Sequence, residues 1–422
     1  MATNCVCNQK SPRVSVGEDL NSLPANFVMT ASAPIQLQEG RFARLEAIEW
    51  WDQSLLAQAR VLVIGAGALG NEVIKNLALL GAGHVAIADR DHVELSNLSR
   101  SVLFREADEG RPKAECAAEA ARRLYPDMKV KAFIGNVLAD LGLGHFRWAN
   151  VVIGALDNRE ARVFVNSACA RVGRPWFDGG IEVLQGIVRG FAPPETACYE
   201  CTMSQVDWDL LTKRRSCSLL ARRALAQRGT PTTPTTASII AAMQVGEVIK
   251  HLHGLRTLLG RGFVFEGTEH TSYSIVYPVS PDCPWHEPPP PIESLQEFNS
   301  DTAFEQIWSE AERRLGSLDA IDLAREIVES LACTACGRHQ PVFQPAERIH
   351  EEQLVCSGCG TECAPSFAHS ITAASPLLKK TPREIGLPPW DIVWARHGTA
   401  CLGIELSGDN PWVTQHSNDP ER

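Results

Sequence analysis

A short glycine-rich turn between a strand-like run and an amphipathic helix is the feature that most constrains this chain. Residues 61–64 are apolar and rich in valine and isoleucine, which is typical of a buried strand. Gly65, Gly67 and Gly70 follow, and residues 71–80 have helical periodicity. Glycines let a backbone approach a phosphate closely, and the helix N-terminus favours its negative charge. The turn therefore predicts a nucleotide-phosphate site.

An acidic residue strengthens this prediction. A second strand-like run, residues 84–88, ends at Asp89, which lies 19 positions after Gly70. Ribose-binding acids follow the glycine turn of nucleotide sites by roughly 20 positions. Chance glycine turns are common, so the preceding strand, the helix and the acid are needed together. They predict an α/β fold with a Rossmann-like domain and a mixed, mostly parallel sheet.

Polar and basic residues follow the second strand. They are Asp91, Asn97, Arg100 and then Lys113, which opens a predicted helix from Pro112 to about Leu124. A lysine near a helix N-terminus lies where anions collect. We therefore expect these groups beside the phosphates. The alternative is that Arg100 and Lys113 are solvated surface charges, as most arginines and lysines are.

A third strand-like run, residues 151–156, ends at Asp157. Ligands of open α/β sheets bind at the carboxyl ends of the strands. Asp157 is therefore expected to hold Mg²⁺ against a triphosphate, since Mg²⁺ prefers oxygen ligands. It could also be the N-cap of a predicted helix over residues 159–172, because aspartate is a favoured cap.

Together these motifs resemble the ThiF/MoeB-type adenylating enzymes, the superfamily that includes ubiquitin-activating enzymes, over roughly residues 41–286. The resemblance implies that Asn97, Arg100, Lys113 and Asp157 bind ATP and Mg²⁺ while a carboxylate attacks the α-phosphate. The full predicted cofactor-binding set is Gly65, Gly67, Gly70, Asp89, Asp91, Asn97, Arg100, Lys113 and Asp157.

The resemblance also implies an arginine that reaches into the active site of a partner subunit. Residues 41–44 match that element, and Arg44 is favoured over Arg41. An arginine supplied in this way implies a dimer, and we expect a homodimer.

The chain contains 14 cysteines, no recognisable signal peptide and no apolar run of 18 or more residues. These features predict a cytoplasmic protein without a membrane span. In a reducing compartment, clustered cysteines usually indicate a metal site or catalysis rather than disulfides.

Two cysteine clusters predict zinc. Cys198-x-x-Cys201 and Cys283-x-x-His286 lie where the resembled family closes a structural zinc site with four cysteines. Here His286 would be the fourth ligand, and Cys₃His is an acceptable structural zinc set. The alternative is that they are two unrelated reduced pairs.

The second cluster has clearer spacing. Cys333-x-x-Cys336 and Cys356-x-x-Cys359 are separated by 19 residues, and a glycine follows each pair. This spacing is typical of a zinc ribbon. Four protein ligands leave no open position, so the site is expected to be structural.

One further cysteine is a candidate nucleophile. Cys217 follows Ser216 and three consecutive cations, residues 213–215, which would lower its thiol pKa. It lies in a predicted long crossover loop, residues 202–236. The resemblance implies that this cysteine receives the activated carboxyl group as a thioester. The alternative is a bystander thiol in an enzyme that stops at the adenylate.

The predicted organisation has six parts. They are a flexible N-terminus (1–35), a helical arm with the arginine (36–60), the adenylation domain (61–286), a proline linker with helices over 301–314 and 318–331 (287–331), the zinc ribbon (332–364) and a β-rich module with a tail (365–422).

The predicted function is ATP-dependent activation of the C-terminal glycine carboxylate of a ubiquitin-like protein, then thioester formation and transfer to a conjugating enzyme. The family resemblance, rather than the composition, implies that a bacterial ubiquitin-like conjugation system would suit so compact a chain. Alternatives are a sulfur-carrier adenylyltransferase of thiamine or molybdopterin synthesis, a non-catalytic zinc-stabilised scaffold, and an NAD-binding oxidoreductase. The formal net charge of −10 argues against nucleic acid as a partner.

Overall fold

The computed structural model describes residues 39–216 and 231–412. The helices are α1 Ala43–Glu46, α2 Gln53–Gln58, α3 Ala68–Leu80, α4 Lys113–Leu124, α5 Val137–Asp140, α6 Leu143–Trp148, α7 Arg159–Val172, α8 Gln205–Ser216, α9 Pro234–Leu252 and α10 Phe304–Leu315. The strands are β1 Arg60–Ile64, β2 His84–Asp89, β3 Lys129–Ile134, β4 Val151–Gly154, β5 Trp176–Glu182, β6 Gln185–Phe191, β7 Arg261–Glu266, β8 Thr271–Val276, β9 Ile292–Leu295, β10 Ala320–Cys333, β11 His339–Pro345, β12 Cys363–Ile371, β13 Ile392–His397 and β14 Ala400–Leu406.

The first sheet has eight strands in the order β3-β2-β1-β4-β5-β6-β7-β8. Strands β1 to β5 pair in parallel, and β5 to β8 pair in antiparallel fashion. The predicted mixed, Rossmann-like sheet is therefore confirmed. The chain order reverses between β1 and β4, which is the topological switch point where such sheets bind ligands.

Helices cover both faces of this sheet. One face packs against α3, α4 and α9, and the other packs against α6 and α7. Because both faces are covered, β1 and β4 are apolar without alternation. Gly81 ends α3 in a left-handed conformation, with φ of 79°. Among the described helices, none is long and apolar enough to cross a membrane.

The second sheet has six strands. Its main path is β11-β10-β13-β14-β9, and β12 pairs with β10. Helix α10 covers one face with Phe304, Ile307 and Ala311, which are fully buried. The predicted helix over residues 301–314 is therefore confirmed in its essentials.

The predicted helix over residues 318–331 is wrong, because this stretch belongs to the 14-residue strand β10. Its apolar residues are closely spaced, so periodicity alone did not separate a helix from a strand. Pairing with β11, β12 and β13 decides the outcome. The stretch called a proline linker also contains β9, which pairs in parallel with β14.

The predicted crossover loop also contains regular structure. Helix α8 occupies Gln205–Ser216, and α9 begins at Pro234. Residues 217–230, with the predicted nucleophile Cys217, lie outside the described residues, as does the predicted flexible N-terminus. The bounds of the six predicted parts stay predictions.

A buried ion pair anchors the second sheet on the first domain. Arg325 of β10 and Asp391 are 1% and 2% exposed and lie 2.5 Å apart. Arg325 also donates to the carbonyl oxygen of Leu138 at 2.8 Å, and Asp391 accepts from the backbone N–H of Leu143 at 2.8 Å. Burial raises the pKa of Asp391, and Arg325 opposes that shift. Arg325 is therefore hydrogen-bonded to α5, and Asp391 is hydrogen-bonded to the start of α6.

Replacing Arg325 with methionine is expected to lower the free energy of unfolding by about 3–5 kcal/mol, because the Asp391 charge is left buried and unpaired. Chemical denaturation checks this. Arg383→Met is the matched control, since its pair with Asp301 is 56% and 64% exposed and should contribute about 0–1 kcal/mol. Equal losses in the two variants would contradict the anchoring role.

Candidate functional site

The glycine turn needs glycine for packing reasons. Gly65 has φ of +98°, and a Cβ there would lie 2.3 Å from the carbonyl oxygen of Ala155. A Cβ on Gly70 would lie 1.9 Å from the carbonyl oxygen of Gly65. By contrast, nothing lies within 4 Å of the Cβ position of Gly67. The turn is therefore packed against the end of β4 and open at Gly67, where α3 begins.

Asp89 holds this turn in place. Its Oδ2 accepts from the backbone N–H of Ala66 at 2.6 Å, and its Oδ1 accepts from the N–H of Asp91 at 2.7 Å. Burial raises the pKa of Asp89, while these two hydrogen bonds oppose the shift. Each carboxylate oxygen keeps a second lone pair. The ribose-binding role of Asp89 stays a prediction.

Lys113 points back to the same edge of the sheet. Its ammonium lies 3.2 Å from Oδ2 of Asp91, and its backbone N–H donates to the carbonyl oxygen of Asp91 at 2.9 Å. The side chain of Lys113 is 13% exposed, whereas that of Asp91 is 52% exposed. Lys113 is therefore not a solvated surface charge, and it is held at the N-terminus of α4.

Asn97 and Arg100 lie in the segment between β2 and α4. The buried Asn97 accepts from the backbone N–H of Glu94 at 3.1 Å through Oδ1. The half-exposed Arg100 donates to the carbonyl oxygen of Ser96 at 2.7 Å. Asn97 thus stabilises the turn of residues 94–97, and the guanidinium of Arg100 contacts the backbone of that same turn.

Asp157 is exposed at the carboxyl end of β4. It is not the cap of α7, because Asn158 accepts from the backbone N–H of Ala161 at 2.8 Å and is the N-cap. Asn158 also donates to Oδ1 of Asp157 at 3.0 Å. The Asp157 carboxylate is thus directed away from capping, and both its oxygens retain acceptor capacity for a cation.

Asn71 is a site residue that the sequence analysis missed. It is fully buried in the first turn of α3 and donates to the carbonyl oxygens of Ala66 and Gly67 at 2.7 and 3.1 Å. Its Oδ1 accepts from the backbone N–H of Leu103 at 2.9 Å. Asn71 therefore ties the glycine turn to the segment that carries Arg100. A polar residue directly after the third glycine, within an otherwise apolar helix face, was the available signal.

A second group that the sequence analysis missed is a cluster around Asp178, which contacts the backbone of Leu156, the residue before Asp157. Asp178 is fully buried and accepts from Nε of Arg162 at 2.9 Å and from Nε of Arg189 at 3.1 Å. Arg162 also donates to the carbonyl oxygen of Leu156 at 2.6 Å. These three residues lie on α7, β5 and β6 and form no recognisable motif, so only the folded sheet shows the cluster.

The two arginines of the N-terminal arm differ. Arg41 donates to the carbonyl oxygen of Leu124 at 2.5 Å, and its guanidinium lies 5.0 Å from the ring centre of Tyr125. Arg44 is exposed and makes no hydrogen bond or ion pair within the described part of the chain. Of the two, Arg44 is the one whose guanidinium is available to another molecule.

Residues 40–284, well over half of the chain, match the ThiF family. This chain belongs to the ThiF family. The match covers the sheet, the glycine turn and each polar residue described around it. The predicted superfamily is therefore confirmed, whereas the role of each site residue stays a prediction.

Curated relatives of this ThiF-family protein are catalytic subunits of NEDD8-activating enzyme E1. The Schizosaccharomyces pombe protein is 35% identical over 163 residues, which are 37% of this chain and 35% of the relative. The Drosophila melanogaster protein is 35% identical over 192 residues, 42% of either chain. The Saccharomyces cerevisiae protein is 37% identical over 153 residues, 34% of this chain and 51% of the relative. This chain thus spans about a third to a half of their length.

A crystal structure of Escherichia coli MccB shares the fold. It has a TM-score of 0.50 and 22% sequence identity, and the alignment covers 59% of this chain and 73% of that one. At this identity the likeness supports the architecture of the ThiF-family domain and nothing more specific.

The first predicted metal cluster comes together at the end of the ThiF-family domain. Sγ of Cys198 lies 3.8 Å from Sγ of Cys201 and 3.5 Å from Sγ of Cys283, and Nε2 of His286 lies 3.0 Å from Sγ of Cys201. The four ligand atoms lie within 4.8 Å of one another. The other ring nitrogen of His286 lies 3.4 Å from the carbonyl oxygen of Pro194. This donor set fits a tetrahedral Cys₃His zinc site.

The second cluster caps the end of β10. Its ligand atoms also lie within 4.8 Å of one another, with Sγ distances of 3.4 Å between Cys333 and Cys359 and 3.7 Å between Cys336 and Cys356. The backbone N–H of Cys336 donates to Sγ of Cys333 at 3.4 Å. The glycine after each pair has a positive φ, 70° and 72°. This geometry fits a four-cysteine zinc ribbon.

Proposed function

We propose that this protein activates the C-terminal glycine carboxylate of a ubiquitin-like protein by ATP-dependent adenylation. The observation that carries the proposal is the position of the polar residues around the glycine turn. Lys113 forms an ion pair with Asp91. The carboxylate of Asp89 accepts hydrogen bonds from the backbone N–H groups of Asp91 and of Ala66 in the turn. Family membership and the names of the E1 relatives support the same activity.

The glycine turn and the N-terminus of α3 would receive the phosphates of ATP through their backbone N–H groups. Lys113 and Arg100 would neutralise charge as a carboxylate oxygen of the cargo attacks the α-phosphorus. The bond from that phosphorus to the pyrophosphate oxygen breaks, pyrophosphate leaves, and an acyl-adenylate remains. Mg²⁺, when bound, would screen the triphosphate charge, and Asp157 would hold it through its carboxylate oxygens. Positioning and charge neutralisation are the protein's main contributions.

Cys217 would complete a second step, although it lies outside the described residues. Its thiolate would attack the acyl carbon, AMP would leave, and the cargo would remain as a thioester. Three preceding cations, residues 213–215, favour the thiolate. The thioester would then pass to the thiol of a conjugating enzyme. The E1 relatives favour this fate of the adenylate over its use in sulfur transfer.

The test incubates the purified protein with MgATP and candidate ubiquitin-like proteins that end in glycine. Intact-mass spectrometry detects the acyl-adenylate, and a non-reducing gel detects a covalent complex that thiols cleave. Both species are expected. An adenylate without a covalent complex would indicate a carrier-protein adenylyltransferase, and the absence of both would overturn the proposed function.

Arg44 is expected to act on the partner subunit of a homodimer. Arg44→Ala and Lys113→Ala proteins should each be inactive, yet a mixture of them should recover about a quarter of wild-type activity. In a mixed dimer, the subunit with intact Lys113 receives Arg44 from its partner. Pyrophosphate exchange measures the recovery. Full activity of the Arg44→Ala protein alone, or no recovery on mixing, would reject this role. The two variants assayed separately at the same total concentration are the controls.

We also propose that both cysteine clusters hold structural zinc. Metal analysis should find about two zinc ions per chain. Cys198→Ser and Cys356→Ser should each lose one, because a missing ligand opens the tetrahedral site. Cys401→Ser, at a half-buried cysteine outside both clusters, should keep two. A wild-type protein with fewer than two zinc ions would reject at least one of the sites.

A further inference from the structure

The segment between β3 and α6, residues 135–142, lies between the glycine turn and the C-terminal sheet; we call it the bridging segment. At its start, the backbone N–H of Gly135 donates to the carbonyl oxygen of Asp89 at 3.1 Å. The next N–H, from Asn136, donates to Oδ2 of Asp140 at 2.7 Å. Asp140 therefore closes the turn that contacts Asp89, whose carboxylate in turn holds the N–H of Ala66.

The start of the bridging segment has a conformation that favours glycine and packs closely against Asp140. Gly135 has φ of +155°, and a Cβ there would lie 2.6 Å from Cβ of Asp140. The segment also closes a small recess lined by Ala88, Phe133 and Leu141 beside the carboxyl end of β2. Gly135 and Asp140 themselves line this recess, so both belong to the wall next to the end of β2.

The C-terminal sheet supplies the group that orients Asp140. Nε and Nη2 of Arg348, in the connection after β11, donate to Oδ1 of Asp140 at 2.8 and 2.6 Å. Nη2 also lies 3.4 Å from the carbonyl oxygen of Ala139. Oδ1 of Asp140 is therefore held by Arg348, while Oδ2 accepts the hydrogen bond from the backbone N–H of Asn136.

We propose that Arg348 is a positioning residue through which the C-terminal sheet sets the affinity for ATP. It acts through Asp140, Asn136 and Gly135 on Asp89, and thus on the glycine turn. The inference rests on the proposed function, since it takes that turn as the ATP site. Loss of Arg348 leaves the fold and the reacting groups in place but frees Asp140 to rotate, so the wall beside Asp89 is less preorganised for the nucleotide.

The experiment measures the Kd for MgATP by calorimetry on the full chain without cargo. Arg348→Met is expected to weaken binding about threefold to thirtyfold. In pyrophosphate exchange, the KM for ATP should rise while kcat at saturating ATP is unchanged. Arg348→Lys keeps the charge but not the two-nitrogen contact, so its Kd should be intermediate.

Arg396→Met is the matched control. Arg396 pairs with Asp322 in the same sheet at 2.7 Å, and the two side chains are 43% and 33% exposed. The corresponding exposures for Arg348 and Asp140 are 37% and 31%. The control should therefore lose the same surface stabilisation without affecting the Kd. Starting from Asp140→Asn, the further change Arg348→Met should cause little additional loss, because both act on one contact.

An unchanged Kd in Arg348→Met, or an equal loss in Arg396→Met, would overturn the inference. Thermal unfolding of each variant separates a binding effect from global unfolding: the inference requires that the two methionine variants have similar melting temperatures. If wild-type protein bound no MgATP, the proposed function itself would fail. If wild-type protein binds MgATP and Arg348→Met binds it equally well, only the role of Arg348 fails.

Discussion

Lys113→Ala is expected to reduce cargo-dependent ATP–pyrophosphate exchange about a hundredfold or more. The substitution removes a cation from the edge of the glycine turn, 3.2 Å from the carboxylate of Asp91 in the wild-type protein. Asp91 then keeps only its longer contact with the exposed Arg90, at 3.6 Å, among its ion pairs in the described residues. The net charge of the site therefore becomes more negative, which repels a triphosphate, and the ammonium that would neutralise the triphosphate is lost. Exchange is measured at saturating cargo and over a range of ATP concentrations.

The control for this variant is Lys129→Ala. Lys129 is exposed at the beginning of β3, whereas the site lies at the carboxyl ends of the strands. The control should retain exchange within about twofold of wild type, as expected for a surface substitution away from the site. If Lys113→Ala kept near-wild-type exchange while properly folded, the assignment of the active site would be wrong.

Cys217→Ser is expected to keep pyrophosphate exchange but to replace the thiol-labile complex with one that resists reducing agents. A serine oxygen can form an ester where a cysteine forms a thioester, and esters are not cleaved by thiols. Discharge of the cargo to a conjugating enzyme should fall about a hundredfold or more, since an oxygen ester is a poorer acyl donor than a thioester and the serine oxygen is the poorer leaving group. A non-reducing gel and a transfer assay measure the two effects.

Cys401→Ser is the matched control for Cys217, because Cys401 is a half-buried cysteine in β14 outside both metal clusters. Its complex should remain thiol-labile and its transfer normal. A thiol-labile complex that persists in Cys217→Ser would place the thioester on another cysteine. Loss of exchange in this variant would instead mean that Cys217 contributes to adenylation.

The first domain was predictable because its signals are local. The strand, the glycine turn and Asp89 lie within about thirty residues of one another, and their spacing reflects one βαβ unit. The zinc clusters were predictable for the same reason, since each half is a four-residue motif. The structure brings the four residues of each cluster together, as the family resemblance implied for the first and the spacing indicated for the second.

The second sheet was not predictable in the same way. Strand β10 was taken for a helix because its apolar residues fit either period, and only its pairing with β11, β12 and β13 distinguishes the two. Strand β9 follows a proline-rich stretch, and its parallel partner β14 lies more than a hundred residues later. Long-range pairing of this kind leaves little trace in a local window.

The polar residues that support the site were missed for a related reason. Asp178 and Arg162 meet only because α7 packs against β5, and Arg348 reaches Asp140 across more than two hundred residues. Asn71 gave a local signal, but its role depends on the backbone of Leu103. Residues that contact a ligand tend to form local motifs. The residues that orient those side chains come together only in the folded protein, so they leave no motif in the sequence.

The measurement that tests the central claim most directly is ATP–pyrophosphate exchange by the wild-type protein with a ubiquitin-like protein, compared with the same protein lacking its terminal glycine. The proposed adenylation predicts exchange with the intact protein and none with the truncated one, because the glycine carboxylate is the attacking group. Exchange that is equal with both proteins, or absent with every candidate that ends in glycine, would contradict it.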